Sequence, residues 1–164
     1  TSVNEYPSSD ELAKIAISSA RVVRLFGFDP KVAFVSHSTF GQPLTSRTKH
    51  IKNAVDILKE KNVDFEFDGD MQPDVALNNQ YKELYPFSEI VGNANILIMP
   101  GQHSAAISYK MMKELGGAKV IGPLLIGLGQ PIEIAPLRSS TSDILNLASV
   151  AAYSAGVISY NKKN

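Results

Sequence analysis

Cysteine is absent from the 164-residue sequence, which excludes disulfides, thiolate nucleophiles and cysteine-ligated metals. The absence is compatible with a reducing compartment. Net charge is lacking too: 16 acidic and 16 basic residues balance. No global field therefore favours nucleic acid or an anionic membrane, and no aromatic and basic stripe makes up the deficit. No apolar run approaches the roughly 18 residues of a membrane span, and the start carries no signal-peptide pattern. An initiator methionine, internal repeats and low-complexity segments are also missing. Together these absences predict a soluble, cytoplasmic chain with no nucleic-acid or membrane partner. It reads either as a processed product or as a piece of something longer.

What is present is a core. At 44% hydrophobic and 20% charged residues, the composition suits a single domain or a domain with an appended element. Leu12, Ile15, Ala16, Ser19, Val22, Val23 and Phe26 recur at helical spacing after candidate caps at Ser8, Ser9 and Asp10, and Gly27 ends the run. Lys31 to Ser36 reads as a strand covered on both faces. Ile51, Ala54, Val55 and Leu58 form a helical stripe. Val63 to Phe67 alternates strictly, as a strand with one wet face would. Residues 74–79 and 80–85 are short helical pieces at best, and Asn95 to Met99 is a buried strand. Helices are predicted over His103 to Leu115 and Ser140 to about Ile158, with strands at Ala118 to Ile121 and Ile132 to Ile134 between them. Val32 to Val35, Ile96 to Met99 and Val120 to Ile121 are assigned to the buried centre of the sheet. Alternation of helix and strand with short connections implies parallel strands and a three-layer α/β sandwich.

In such sheets ligands bind at the carboxyl ends of the strands. The loop Ser36-His37-Ser38-Thr39-Phe40-Gly41-Gln42 offers hydroxyls, amides and a glycine, and either cradles a phosphate or caps its own backbone. The stretch DGDMQPDVALN, residues 68–78, holds three carboxylates in what reads as a turn, either solvated or facing a cleft. His37, His50 and His103 lie in separate segments without metal-ligand spacing, so no metal site is assigned, and His50 is placed in solvent. Tyr109 is expected part-buried against the sheet, and Met111 and Met112 are expected to fill core.

The ordered series VSHSTFGQ, DGDMQPDVALN, ILIMPGQHSAAISYKMMKELGGAKVIGPLLIGLGQPIEI and SDILNLASVAA resembles the second half of a phosphate acetyl/butyryltransferase domain. The second motif is closest to the version at the C-terminus of large bacterial NADP-dependent malic enzymes. The resemblance implies the isocitrate/isopropylmalate-dehydrogenase type of sandwich found in phosphotransacetylases. Residues 1–135 would be an inserted α/β domain, and residues 136–164 a segment returning to another domain. Acetyl coenzyme A (acetyl-CoA) or CoA would be the ligand, NADP and a divalent metal would belong to the missing part, and homo-oligomers are expected.

By the same resemblance, Arg138 and Asp143 take the catalytic positions. Ser36, Ser38, Thr39, Gly41, Asp68, Asp70, Gln72, Tyr109 and Lys110 line the acyl-CoA cleft. Arg138 and Asp143 also have plain readings, as a surface cation and as a first-turn carboxylate favoured by the helix dipole. Leu137 stands where the family carries a serine and Ser139 where it carries a glycine; Gly101 and Ala106 replace two further polar positions. A lost hydroxyl contact to the transition state costs on the order of a few kcal/mol. The resemblance therefore implies a regulatory, acyl-CoA-binding module of a malic enzyme. The alternative is part of an acyltransferase moving an acyl group between CoA and phosphate.

Overall fold

Ser8 opens the first helix, α1 (Ser9–Leu25), with a reciprocal capping box: its hydroxyl accepts the Glu11 amide at 3.3 Å, and the Glu11 carboxylate accepts the Ser8 amide at 2.7 Å. Such a cap contributes about 1 kcal/mol. The helix buries Leu12, Ala13, Ala16 and Ala20 on one stripe. Strand β1 (Lys31–Val35) follows, then α2 (Ser46–Glu60), which is capped by Thr45 and buries Ile51, Ala54, Val55 and Leu58. Next come β2 (Glu66–Met71), the short helices α3 (Pro73–Leu77) and α4 (Asn79–Lys82), and β3 (Ile96–Ile98). Helices α5 (Gln102–Leu115) and α6 (Thr141–Lys163) complete the chain. This computed structural model describes residues 4–117 and 119–163.

The sheet runs β2-β1-β3 and is parallel throughout, the α/β architecture predicted. Val32 and Phe34 of β1, Phe67 of β2, and Ile96 and Ile98 of β3 face α1 and α2 in one continuous core. Ala33 and Met71 point the other way, against Val75, Ala76, Ile90 and Ala94. Apolar residues on both faces of β1 explain its unbroken hydrophobic reading.

Three expectations are corrected. The second strand starts at Glu66, so residues 68–71 of the supposed acidic turn are the strand itself and Pro73–Leu77 are α3. Val63 and Phe65 pack on the α1/α2 core from outside the ladder, which is what their alternation with Phe67 reported. The predicted strands at 118–121 and 132–134 are not strands among the described residues; Ala118 lies outside them. A single antiparallel bridge, Leu124 to Glu133, is found in that region. Val120 is half-buried and Ile121 is 48% exposed, so neither belongs to the sheet's buried centre. A short apolar run forms a strand only where a ladder partner takes its amides, and none does so here among the described residues.

The chain divides into two compact units, the first ending at Met111 and the second beginning at Met112. All three strands lie in the first. The second holds the end of α5, the bridge-bearing segment and α6, where Leu147 is buried while Ile144 and Leu145 are 52% and 66% exposed.

Candidate ligand-binding cleft

Strand β2 carries Asp68 and Asp70, which are 7% and 3% exposed. Buried carboxylates need partners, and both have them. Asp70 accepts the Ser38 hydroxyl on Oδ2 and the Gly41 amide, at 2.9 Å, on Oδ1. Asp68 accepts the Gly69 amide and the Glu89 amide, each at 2.8 Å. The two acids therefore fasten loops to the strand.

The ladder is irregular at this point. Phe34 pairs with Gly69 and Val35 with Met71, so Asp70 is skipped. Released from the ladder, its carbonyl accepts the Phe40 amide at 2.6 Å. Gln72 continues the same job, donating its amide to the Thr39 hydroxyl at 3.2 Å and its side-chain NH2 to the His37 carbonyl at 3.0 Å. The sequence-predicted residues Ser38, Thr39, Gly41, Asp70 and Gln72 thus meet in one network that shapes the loop after β1. Ser38 and Thr39 are buried with it. Gly69 makes the close approach possible: a Cβ there would lie 2.7 Å from the Phe34 carbonyl oxygen, at a φ of +147°.

Beside this loop, at the carboxyl ends of β1 and β3, opens a cleft of about 720 Å3. That volume lies within the range of small-molecule sites. Val35, Ser36 and His37 form its floor from the β1 side, and Met99, Pro100 and Gly101 from the β3 side. The start of α2 contributes Ser46, Arg47, His50 and Ile51; the start of α5 contributes His103, Ser104 and Ser108. The segment Glu5-Tyr6-Pro7 closes another wall. It is held by the Gln102 amide on the Glu5 carbonyl at 3.2 Å and by His50, whose Nε2 donates to the Pro7 carbonyl at 2.9 Å. His50 also meets the Ser9 hydroxyl at 3.1 Å and is half-buried. The expectation that it faces solvent is corrected: its ring bridges two segments. Gly101 is buried where a Cβ would stand 2.7 Å from the Glu5 carbonyl oxygen, so this wall admits no larger residue.

Sequence reasoning missed Arg47. Its signal was a cation in the first turn of an amphipathic helix, where the dipole favours an anion. Tyr109 and Lys110 sit on α5 and are exposed, Tyr109 at 36%; Met111 and Met112 are 54% and 61% exposed and do not fill core. Helix α5 buries no residue fully, and its large apolar side chains Ile107, Met111, Met112 and Leu115 are exposed.

In the second unit, Ser140 caps α6. Asp143 Oδ2 accepts the Ser140 amide at 2.9 Å and its hydroxyl at 2.8 Å, while the Asp143 amide donates to the Ser140 hydroxyl at 3.2 Å. The Ser140 amide, then its hydroxyl, hold the Asp143 carboxyl below the usual carboxylate range, with smaller help from Lys113 and Lys119. Arg138 is exposed, and Leu137 beside it is fully so. No group of three or more metal-ligating side chains occurs among the described residues. No helix among them is long and apolar enough to cross a membrane.

The family described as phosphate acetyl/butaryl transferase matches residues 1–152. The chain is 49% identical over 156 residues to the NADP-dependent malic enzyme of Rhizobium meliloti, covering 95% of this chain and 20% of that protein. It is 38% identical over 155 residues to the phosphate acetyltransferase of Clostridium acetobutylicum, covering 93% of this chain and 46% of that protein. The solved phosphotransacetylase from Streptococcus pyogenes shares the fold with a TM-score of 0.86 at 34% identity, over 93% of this chain and 47% of that one. The chain therefore spans about a fifth of the malic enzyme's length and just under half of the two transferases'.

Proposed function

This chain belongs to the phosphate acetyl/butaryl transferase family, and on that premise we propose that it is an acyl-CoA-binding regulatory module of a larger NADP-dependent malic enzyme. One contrast carries the reading: the cleft is equipped to bind, while Leu137 stands where the family resemblance expects the serine whose hydroxyl transfer would use. Higher identity to the malic enzyme than to the acetyltransferase supports the same choice.

The fit to an acyl-CoA rests on the donor set. Apolar walls at Val35, Ile51, Met99 and Pro100 suit a pantetheine arm, and serine hydroxyls with two helix N-termini suit its anionic end. In this proposal the Ser36 to Gly41 loop lies near the phosphates. The Asp68 to Gln72 strand end shapes the thioester side by holding that loop in place, with Tyr109 and Lys110 at its margin. Asp143 organises the start of α6. When bound, acetyl-CoA supplies binding energy, and it regulates by differential affinity for two states of the whole enzyme. Malate oxidation, NADP and the divalent metal belong to the rest of that enzyme, which we place in the cytoplasm as a homo-oligomer.

The second reading is a phosphate acyltransferase. There the thioester C–S bond breaks, phosphate oxygen bonds the acyl carbon, and the CoA sulfur takes a proton. The network around Asp70 would serve that chemistry equally well, so the two are separated by activity. Titrating acetyl-CoA into the full-length protein while following malate-dependent NADPH formation should change the rate several-fold, with no acetyl phosphate formed from acetyl-CoA and phosphate. Acetyl phosphate formation with malate oxidation unaltered would overturn the regulatory reading and establish the transferase.

A further inference from the structure

We propose that Arg47 is the phosphate-selecting residue of the cleft, so that the site discriminates a phosphorylated carrier from the same acyl-pantetheine arm without phosphates. This rests on the acyl-CoA reading above for the ligand's identity, while the anion preference of the cleft stands on separate observations. The first is charge. Arg47 lines the cleft, is exposed, and its side chain makes no ion pair or hydrogen bond among the described residues. Glu5, the one carboxylate in the lining, is turned toward His103 at 3.6 Å. The cleft therefore presents an uncompensated guanidinium, whose planar fork suits phosphate oxygens.

The second observation is a hydroxyl held in reserve. Ser36 lines the cleft at 9% exposure, yet its Oγ has neighbours only at 3.4 and 3.5 Å, in the backbone of Ser38 and in the side chains of His37 and Ser38. These are at the long limit for hydrogen bonds. A buried hydroxyl normally finds a shorter partner, and a bound anion would provide one.

The third observation concerns the two long helices that begin at the cleft. Helix α1 starts with Asp10 and Glu11, and α6 with Asp143, as the dipole favours. Helices α2 and α5 have no acid in their first turns and place Arg47 and His103 there instead. A cation at a helix N-terminus is unfavourable unless an anion lies between the two, and an anionic ligand in the cleft satisfies the helix ends and the guanidinium together.

The test uses the full-length protein, wild type and Arg47→Gln, with CoA, dephospho-CoA, acetyl-pantetheine and inorganic diphosphate as probes in calorimetric titrations. Unchanged circular dichroism would show that the exposed substitution leaves the fold intact. Arg47→Gln should weaken CoA by about 10- to 100-fold, the worth of one charge-assisted pair, and leave acetyl-pantetheine unaltered. An effect that disappears with dephospho-CoA assigns the 3′-phosphate to Arg47, and one that persists assigns the diphosphate; both support the proposal. Equal CoA affinity in wild type and variant overturns it and leaves the acyl-CoA reading standing. Arg47-dependent binding of inorganic diphosphate without any binding of CoA supports the anion site and overturns the acyl-CoA reading. Binding of neither probe by wild type overturns both.

Discussion

Ser38 donates its hydroxyl to the buried carboxylate of Asp70 across 32 residues of chain, tying the loop after the first strand to the second strand. That bond and the Gly41 amide at 2.9 Å satisfy both oxygens of the acid. Asp70→Ala would leave two donors without their acceptor, and we expect a loss of about 3 kcal/mol. Asp70→Asn, which keeps one acceptor oxygen, should lose less. Urea midpoints at constant slope measure the difference. An Asp70→Ala protein as stable as wild type would show that the tie is incidental.

Gly69→Ala places a methyl group 2.7 Å from the Phe34 carbonyl oxygen and 2.8 Å from its Cβ. Strand β1 cannot retreat without opening the core behind Phe34, which is 1% exposed. The expected cost is about 3 kcal/mol, combining overpacking with a backbone angle that alanine resists. Thermal unfolding of the variant reads it directly.

Acid should weaken the contacts of four carboxylates, three of them at helix starts. The Ser8 amide and hydroxyl hold the Glu11 carboxyl below its usual range, and Ser140 does the same for Asp143. Lys14 lowers Asp10 and Arg24 lowers Asp64. Each group is depressed in the folded state, so its stabilisation is complete above the ordinary carboxylate value, about 4, and is lost as pH falls through the folded value. The melting temperature should be flat from neutral pH to about pH 5 and drop below about pH 4. Glu11→Gln should shrink that drop; an identical acid profile in the variant would count against the cap as its source.

Lys59 titrates in the opposite sense. The Glu89 carboxylate, 2.6 Å away, raises its pKa. Its contribution is therefore present below the ordinary lysine value, about 10.4, and is lost as pH rises through the folded value. Lys59→Met should flatten stability above about pH 10 and change little at neutrality, because the pair is half-exposed.

In α6, Leu147→Ala should cost about 2–4 kcal/mol because the side chain is 5% exposed. Leu145→Glu, at 66% exposure, should be within about 0.5 kcal/mol of neutral in this chain alone. If a further domain covers that face in a longer protein, the same charge should lower the melting temperature there. Equal effects in both settings would show that the face stays in water.

Much of the architecture could be read in advance because its causes are local. Ser8 with Glu11, the stripe of α2, and the unbroken apolar run of β1 each carry their own signal. The second strand could not be read that way. Asp68, Gly69 and Asp70 are poor strand formers, and what makes them a strand is a set of donors at Ser38, Gly41 and Glu89 that no window of sequence displays. Within the described residues, Lys119 to Ile121 failed for the converse reason: local propensity without a neighbouring ladder. At the site, the loop 36–42 was legible from its hydroxyls, whereas His50 and Arg47 reach the cleft only through the placement of α2.

One strand moors two distant segments, residues 36–42 through Asp70, which the β1–β2 ladder skips, and Glu89 through Asp68. Strand β2 works as a yoke: Asp70 and Asp68, two residues apart on it, hold the two segments to one strand. The Gly41 and Glu89 amides, 48 positions apart in the numbering, are thus held by neighbouring carboxylates of one strand, and hydrogen exchange should find them opening together.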